Sequence, residues 1–332
     1  MHIMGKNITK RDLETLTGAP LAQCVREFRF SGGMADGMRG IELASFCGLH
    51  FTVLPDRGLD IGDCSLNGLP IGWRSSAQMA SPEFFTPEST EFGRLFHGGL
   101  LTTCGLTQAG DACEIEGRIH PVHGEYSFLK AESVSLSCDW DNERPIAVIS
   151  GKVTQSRLYK ERLVLDRKIL FPLDGNRIEI RDCVENTGFA PVPLMLVYHI
   201  NFGWPLLSDG SHIELDAIDT TGDGDYRLLG QPSLNAESEE WHHNLRVDIE
   251  GYSHARTVNP GFASAEVSFL KSTLPYLHQW KFLRTGEYVL ALEPCNTFIL
   301  GQEKEKENGT LEFIQPGERR EFRVAIEIAA AK

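Results

Sequence analysis

The sequence predicts an all-β protein, a large antiparallel β-sandwich that carries a few short helices. Short apolar runs, many of them with a period of two, recur along the chain and are separated by Gly, Pro and Asn. Long helical patterns do not alternate with these runs, which argues against a parallel sheet. No internal repeat and no Pro-, Gly- or Ser-rich linker divides the chain, so we expect one domain over residues 1–332.

The clearest strand pattern lies near the C-terminus, in residues 320–328. Apolar and charged side chains alternate there, which is typical of a half-buried strand. The turn signal QPGE (315–318) separates this run from the short apolar run LEFI (311–314), and together they predict a closing hairpin. The polar run GQEKEKENGT (301–310) before them is predicted to be an exposed loop between strands.

Similar strand patterns occur upstream. The runs ERLVLDRKILFP (161–172) and NRIEIRDCVENTG (176–188) flank LDGN, a turn sequence that predicts a hairpin. The run PVPLMLVYHINFG (191–203) follows after a short Gly/Pro break. Residues 40–73 contain several short apolar runs punctuated by Gly, Asn and Pro, and we expect several short strands there.

Helical signals are few, and the clearest lies near the N-terminus. Thr9 is a candidate N-cap, Asp12 occupies the third helical position and Gly18 is a stop signal. We therefore predict a short helical extension within residues 1–20. Residues 81–92 open with Ser-Pro, which predicts a second short helix or an irregular insertion.

The composition restricts the possible partners. Acidic residues outnumber basic ones by 46 to 32, which gives a net charge of −14 and argues against nucleic acid, because phosphate backbones require clustered Lys and Arg. The N-terminus lacks the apolar core of a secretion signal, and no apolar run has membrane-spanning length, so we expect a cytoplasmic protein without membrane contact. The eight cysteines form no C-x-x-C pair, so we expect small buried side chains rather than disulfides or a zinc site.

Five stretches place titratable side chains beside apolar or glycine-rich segments. They are VLPDRGLDIGD (53–63), LFHGG (95–99), HPVHGE (120–125), VYHINFGWP (197–205) and QWKFLRTGEYVLALEPCN (279–296). Each histidine in these stretches also has a structural interpretation, as a ring that bonds to its own turn or that fills the core. The residues alone leave both interpretations open.

Glu293 is harder to explain as a structural residue. It follows the apolar run 289–292, which has no polar break and predicts a strand buried on both faces. A carboxylate at the end of such a strand is costly to desolvate unless a positive or donor-rich group faces it. We therefore expect Glu293 to have a functional role.

In order and spacing, these stretches resemble the aldose 1-epimerases, the family of galactose mutarotase-like proteins. The resemblance is carried by VLPDRG (53–58), FHGG (96–99), YHINF (198–202) and ALEPCN (291–296), and it extends over residues 40–328. It implies the galactose mutarotase-like sandwich fold and a place in a divergent bacterial branch. The segment that follows YH is INFGWPLL rather than the usual form, so the identity of the sugar stays open.

The resemblance also implies roles for individual residues. His199 takes the position of the family's general acid and Glu293 that of its general base. His97 takes the position of a second histidine that holds the ring oxygen or an adjacent hydroxyl, and Arg57 is a weaker match to a substrate-binding arginine. Further candidates to line the same cleft are His123, Glu125, Asn201, Gln279, Trp280 and Lys281.

The implied chemistry suits these residue types. Exchanging the anomers of an aldose requires one proton on the ring oxygen and the removal of another from the C1 hydroxyl. The C1–O5 bond then opens, C1 rotates and the ring closes on the other face. An imidazole with a pKa near ~6.5 is suited to donate, and a carboxylate with a pKa near ~4.3 is ionised and ready to accept. We therefore expect a free aldose or a derivative as the partner, and no cofactor.

Two other functions stay open at this point. A carbohydrate-binding or regulatory protein of the same fold would share the cleft but need no working acid–base pair. A metal-dependent sugar isomerase, epimerase or lyase would use imidazole and carboxylate ligands, for which His97, His123, Glu125 and His199 are the candidates. A homodimer is likewise an open alternative to a monomer.

Overall fold

The structure, a computed structural model, is built mainly from two large antiparallel β-sheets that pack on each other through one continuous core. It describes residues 1–3, 6–88, 91–222 and 225–331. In that part of the chain one sheet has 11 strands and the other has eight. The all-β sandwich with few short helices, predicted from the sequence, is confirmed.

The strands follow one another along the whole described chain. The first half comprises β1 (His2–Ile3), β2 (Lys6–Asn7), β3 (Val25–Arg29), β4 (Arg39–Ala44), β5 (Leu49–Leu54), β6 (Asp60–Leu66), β7 (Leu69–Pro70), β8 (Trp73–Arg74), β9 (Gly98–Gly99), β10 (Leu101–Leu106), β11 (Cys113–Ile115), β12 (Arg118–His120), β13 (Glu132–Asp141) and β14 (Arg144–Ser156). The second half comprises β15 (Arg162–Pro172), β16 (Arg177–Asn186), β17 (Val192–Pro193), β18 (Met195–Phe202), β19 (His212–Leu215), β20 (Ala217–Gly222), β21 (Glu237–Leu245), β22 (Tyr252–Asn259), β23 (Ala263–Leu270), β24 (Tyr276–Arg284), β25 (Glu287–Cys295), β26 (Phe313–Ile314) and β27 (Arg319–Ala330).

The two large sheets are named sheet I and sheet II. Sheet I has the strand order β20-β21-β24-β25-β18-β10-β6-β5-β4-β3, with β7 paired to β6. Sheet II has the order β13-β14-β15-β16-β27-β23-β22-β19. The predicted hairpin around LDGN is present, because β15 and β16 pair antiparallel across that turn.

The helices are short. They are α1 (Lys10–Leu16), α2 (Glu91–Leu95) and α3 (Gln302–Asn308), with 3-10 turns at Gly33–Ala35, Pro82–Phe84 and Tyr126–Phe128. Thr9 is the N-cap of α1, as predicted, and it forms a capping box: the Asp12 N–H donates to Thr9 Oγ1 and the Thr9 N–H donates to the Asp12 carboxylate. The segment 81–92 contains a 3-10 turn and the start of α2, and residues 89 and 90 lie outside the described residues.

Two predictions for the C-terminal region are wrong. Residues 301–310 contain helix α3 instead of an open loop, and its Glu305 is buried, where its carboxylate accepts from the Thr297 hydroxyl and the Phe298 N–H. The predicted closing hairpin is absent, because β26 pairs with β17 while β27 lies between β16 and β23 in the middle of sheet II. These strands, which are distant in sequence, form backbone hydrogen bonds with β27 along both of its edges.

Strand β18 shows how the fold uses both faces of sheet I. All eight of its residues are buried, because successive side chains point to opposite faces and both faces are covered. Leu196 and Tyr198 enter the core between the sheets, whereas Met195 and Val197 join a second apolar cluster on the outer face. His199 has the same alternation as Met195 and Val197, so it lies on the outer face.

A buried charge network ties the two sheets together beneath β18. The Arg167 guanidinium contacts Asp182 at 2.7 Å and Asp60 at 3.1 Å, and it donates to the Thr103 hydroxyl. The Tyr198 hydroxyl donates to Asp182 over 2.7 Å. Removing one partner of such a buried pair costs about 3–5 kcal/mol, since it leaves an uncompensated charge. The network therefore holds β10, β15, β16 and β18 in register behind the outer face.

No helix in the described ranges is long and apolar enough to cross a membrane.

Candidate active site

A cavity of about 590 Å³ opens on the outer face of sheet I. Its floor comes from four neighbouring strands, β18, β25, β24 and β21, and its walls come from loops and from α2. The described residues that line it are Phe92, Gly93, Phe96, Gly110, Asp111, Val122, His123, His199, Glu239, Trp241, His278, Trp280, Glu293, Phe298, Ile299 and Leu300. The cavity thus contains both residues for which the family resemblance implies catalytic roles.

Strand register brings His199 and Glu293 together. Val197 pairs with Cys295 and Ile200 with Leu292, which places His199 beside Glu293 on the same face. His199 Nε2 lies 3.4 Å from Glu293 Oε1, and the two side chains are only 5% and 2% exposed. An imidazole and a carboxylate that are far apart in the sequence therefore meet on the cavity floor.

Asn201 fixes the orientation of the His199 ring. Its amide nitrogen donates to the backbone carbonyls of Gly99 and His199, each over 3.1 Å, so its oxygen Oδ1 is left to face the ring. His199 Nδ1 donates to this oxygen over 2.6 Å. Nε2 is then the nitrogen that faces Glu293 and the cavity. Asn201, predicted as a substrate-binding residue, lies behind His199, fully buried and outside the described lining.

Glu293 also contacts a second imidazole. The residue opposite Glu293 on β24 is His278, whose Nδ1 lies 3.3 Å from Oε1, the oxygen that His199 contacts. The other carboxylate oxygen, Oε2, is buried and has no hydrogen-bond partner among the described residues. One oxygen of Glu293 therefore lies within ion-pair distance of two rings, while the other is free of protein donors from the part of the chain that the structure describes.

The surroundings of these groups separate their pKa values. Burial raises the pKa of Glu293, but the charges of His199 and His278 outweigh it and lower the pKa to about 2. Burial lowers the pKa of His278, but Glu293 and Glu239 outweigh it and raise the pKa to about 9. Burial lowers the pKa of His199, and Glu293 offsets this only in part. At neutral pH the site thus contains an ionised carboxylate, a protonated His278 and a mainly neutral His199.

His123 enters the cavity from the tight turn that follows β12. Its backbone has φ of 58°, a left-handed conformation, and the adjacent Gly124 has φ of 77°. Its ring meets that of His199 edge-on at 5.9 Å and lies 4.8 Å from the ring of Phe92. Burial and the His199 charge lower its pKa to about 4, so it is neutral at neutral pH.

Aromatic rings enclose the acid–base residues. Phe96 and Trp280 both contact the His199 ring edge-on, with centroids at 5.2 and 5.7 Å. Trp241 lies 4.5 Å from the His278 ring at an interplanar angle of 34°. Aromatic walls of this kind suit the apolar C–H face of a sugar ring and exclude water from charged groups.

His97 and Arg57 lie outside this cavity. Both ring nitrogens of His97 are buried without a hydrogen-bond partner among the described residues, and burial holds the pKa well below its ordinary value. The Arg57 guanidinium donates to the backbone carbonyls of Ala80 and Leu95 and lies 4.7 Å from the centroid of the Phe128 ring. The residue that reaches the cavity from the FHGG stretch is Phe96, the neighbour of His97.

Three more of the predicted binding residues do not meet the acid–base pair. Glu125 accepts a hydrogen bond from Arg118 over 2.8 Å and lies outside the described lining. Gln279 and Lys281 alternate with His278 and Trp280 along β24, so they point to the opposite face of sheet I. There both contact Glu240, each over 2.9 Å. Of the three neighbours Gln279, Trp280 and Lys281, only Trp280 lines the cavity.

Several residues of the cavity were not identified from the sequence, among them Asp111, Glu239, Trp241 and His278. A signal for His278 exists in YLHQWKF (276–282), where ring-bearing residues alternate with others in a strand pattern. That pattern reveals a shared face only when the strand is known to lie beside Glu293. Asp111 and Glu239 are common surface residues in the sequence, and nothing there distinguishes them.

In the described ranges, no three His, Cys, Asp or Glu side chains are arranged to hold a metal ion. Of the four candidate ligands considered from the sequence, His123 and His199 face the cavity. Glu125 is paired with Arg118, and His97 is buried outside the cavity. The four side chains therefore do not form the metal site that the alternative hypothesis requires.

Solved structures with the same fold are numerous. A Klebsiella pneumoniae protein that was provisionally assigned as an aldose 1-epimerase superposes with a TM-score of 0.86 at 22% identity, covering 92% of this chain and 84% of that one. A galactose mutarotase-like protein from Clostridium acetobutylicum gives 0.62 at 14% identity, covering 92% and 98%. A galactose 1-epimerase from Lactobacillus acidophilus gives 0.61 at 13% identity, covering 93% and 99%. The predicted galactose mutarotase-like fold is thus confirmed.

The sequence comparisons agree with a divergent branch of this fold. No curated protein sequence matches the chain. One family profile matches residues 35–328, a span that includes every residue of the cavity, and it is described as a domain of unknown function. The chain therefore belongs to the DUF4432 family, with the fold of the galactose mutarotase-like proteins.

Proposed function

We propose that the chain is an aldose 1-epimerase-like enzyme that interconverts the anomers of a free sugar by acid–base catalysis. The observation that carries the proposal is the pair formed by His199 and Glu293 on the floor of an aromatic-walled cavity, with 3.4 Å between Nε2 and Oε1. In the reacting sugar, the ring oxygen and the C1 hydroxyl are bonded to the same carbon. The general acid for the ring oxygen and the general base for the C1 hydroxyl must therefore lie close together.

In the proposed mechanism, Glu293 Oε2 accepts the proton of the C1 hydroxyl while the imidazolium form of His199, the minor form at neutral pH, donates its Nε2 proton to the ring oxygen. The C1–O5 bond breaks, C1 becomes a carbonyl, and rotation about the C1–C2 bond presents its other face. The ring oxygen then attacks C1 and returns its proton to His199, while Glu293 returns its proton to the C1 oxygen. Both groups recover their starting state, so no cofactor or external proton carrier is required.

The charge of the cavity indicates an uncharged substrate. Its described lining includes the carboxylates of Asp111, Glu239 and Glu293 but no Lys or Arg. The protonated His278 lies between two of these carboxylates, so it does not leave a free positive charge. A phosphorylated or carboxylated sugar would meet a negative potential there. We therefore expect neutral aldoses to be better substrates than hexuronates or sugar phosphates.

Magnetisation-transfer NMR on a panel of free aldoses, deoxysugars and hexuronates tests the proposal. We expect faster anomer exchange with the wild-type chain for at least one aldose, and a loss of about 10²–10⁴-fold in His199→Asn and in Glu293→Gln. The matched control is Glu179→Gln, which removes a carboxylate from β16 in sheet II and should leave the rate unchanged.

Three outcomes would count against the proposal. Exchange no faster than in buffer across the panel would exclude the activity for those sugars, and wild-type rates in Glu293→Gln would exclude the assigned base. Tight sugar binding that survives Glu293→Gln, without exchange, would favour a carbohydrate-binding protein instead.

A further inference from the structure

Among the titratable groups of the cavity that the proposed proton transfers do not use, a carboxylate and an imidazole lie in contact beside Glu293. Glu239 lies on β21 and His278 on β24, and Glu293 follows on β25, the next strand of sheet I. His278 Nε2 lies 3.6 Å from Glu239 Oε2, and His278 Nδ1 lies 3.3 Å from Glu293 Oε1. One imidazole thus spans two carboxylates on neighbouring strands.

Two carboxylates at these distances favour the protonated form of His278. A neutral imidazole has one N–H, so one of its nitrogens would present a lone pair to a carboxylate oxygen. Neither contact has hydrogen-bond geometry, but both carboxylates lie within ion-pair distance of the ring, and only the imidazolium presents a positive N–H to each of them. The indole of Trp241, 4.5 Å from the ring, adds a π-face that favours a cation. His278 is also only 6% exposed, which keeps water from competing for its protons.

Resting on the proposed function, we infer that His278 is a positioning residue: a protonated imidazole, anchored by Glu239, that holds Oε1 of Glu293 and leaves Oε2 as the oxygen for the substrate. The strand register supports this role, because His278 is the direct cross-strand partner of both Glu293 and Trp241. His199 contacts Oε1 from the other side. Two rings on opposite flanks therefore restrict rotation of the carboxylate.

The contact of His278 with Glu293 Oε1, which we call the clamp, also affects the charge of Glu293, the proposed base. An imidazolium 3.3 Å away keeps Glu293 ionised despite its burial, and the pKa of this carboxyl is about 2. An opposite charge at such a distance typically lowers a carboxyl pKa by about 1–3. Other titratable groups also interact with Glu293 or His278, and they are His199, Glu239, His123, Cys104, Cys295 and His242. Asp111 acts on their neighbours His123 and Glu239.

The test is a pH titration of the Glu293 carboxyl carbon by NMR in protein labelled with ¹³C-glutamate, with the resonance assigned from Glu293→Gln. We expect the pKa of Glu293 to rise by about 1–3 in His278→Gln, because the variant keeps a donor but loses the charge. The pH profile of kcat/KM should gain an acid limb at that pKa, where the wild type shows none above pH ~4. His278→Lys, which restores a positive charge, should move the limb back toward lower pH.

Glu239→Gln provides a second variant that leaves the buried part of the site intact, since the Glu239 side chain is 59% exposed. It removes one of the two carboxylates that hold His278, so the pKa of His278, read from its ring resonances, should fall below the wild-type value of about 9. An unchanged His278 pKa in this variant would overturn the anchoring role of Glu239.

The titration separates the clamp from the proposed activity. An unchanged Glu293 pKa in His278→Gln would overturn the clamp even if the wild type catalyses anomer exchange. A raised Glu293 pKa in a chain that exchanges no sugar would support the clamp and count against the proposed function. If His278→Gln does not fold, Glu239→Gln and its effect on His278 decide the question.

Discussion

Replacing Asn201 with aspartate should raise the pKa of His199 and extend catalysis to higher pH. Asn201 Oδ1 accepts the Nδ1 proton of His199 over 2.6 Å in a fully buried environment. The substitution turns this neutral oxygen into a carboxylate without changing its size. The His199 ring would then lie between two carboxylates, the newly introduced one and that of Glu293, which is the situation of His278.

The structure gives the size of the expected change. Burial lowers the pKa of His199, which faces one carboxylate, whereas His278 faces two and has a pKa of about 9. An opposite charge in contact with an imidazole typically shifts its pKa by about 1–3. We therefore expect the basic limb of kcat/KM, where the acid form of His199 is lost, to move upward by about 1–3 pH. The maximal rate should fall several-fold, because a less acidic imidazolium donates its proton less readily.

The substitution also has a cost in stability. The Asn201 amide donates to the carbonyls of Gly99 and His199, and a carboxylate cannot replace those donors. Leaving a buried acceptor unpaired costs roughly 1–3 kcal/mol. Asn186→Asp is a matched control, because Asn186 is equally buried and its amide donates to the carbonyls of Ala190 and Ile314. It should destabilise the fold similarly while leaving the pH profile in place.

The measurements are the pH dependence of anomer exchange by NMR, the titration of the His199 ring resonances, and urea unfolding of both variants. A basic limb and a His199 titration that stay at their wild-type positions in a folded Asn201→Asp protein would refute the reasoning. The hydrogen bond from Nδ1 would then not control the acidity of the ring.

Three further predictions follow from the same contacts. Arg167→Met should lower the free energy of unfolding in urea by about 3–5 kcal/mol, because it leaves Asp60 and Asp182 buried without their partner; a loss below about 1 kcal/mol would contradict this. The folded-state pKa of His278 lies above the unfolded value near ~6.5, so its contribution to stability, at most about 3 kcal/mol, is complete below pH ~6.5 and is lost as pH rises through about 9. Urea titrations from about pH 6 to 10 should show this decline in the wild type and a flatter curve in His278→Gln. Anomer exchange of hexuronates should be slower than that of the matching neutral aldoses, because the cavity is negatively charged. Glu239→Gln should reduce the ratio of the neutral-aldose rate to the hexuronate rate. An unchanged ratio would show that charge at the cavity mouth does not select substrates.

The sequence was most informative where a strand pattern was interrupted by a polar residue that the pattern itself does not explain. Glu293 follows four apolar residues in β25, and the structure confirms that this strand is buried on both faces. His199 likewise ends an apolar run and lies in the fully buried β18. Periodicity and burial cost are local properties, so such residues can be identified from the sequence without knowing their neighbours in space.

Predictions failed where pairing is non-local. The turn at QPGE suggested a hairpin, but β27 is stabilised by β16 and β23, which lie far earlier in the chain. The polar composition of residues 301–310 suggested a loop, but burial of Glu305 among hydrogen-bond donors and capping by Gly309, at φ of 72°, stabilise a short helix. Neither the strand partners of β27 nor the hydrogen-bond donors around Glu305 can be inferred from residues adjacent in the sequence.

The sequence by itself determined the all-β architecture, most of the strands, and the two side chains on which the proposed chemistry depends. Only the tertiary structure decided which faces of those strands meet: it brought His278 and Glu239 to Glu293 and turned Gln279 and Lys281 to the opposite face. The physical reason is that side chains alternate along a strand, so a shift of one residue in register exchanges the two faces. That register is fixed by packing across the sheet and between the sheets, which no local stretch of sequence encodes.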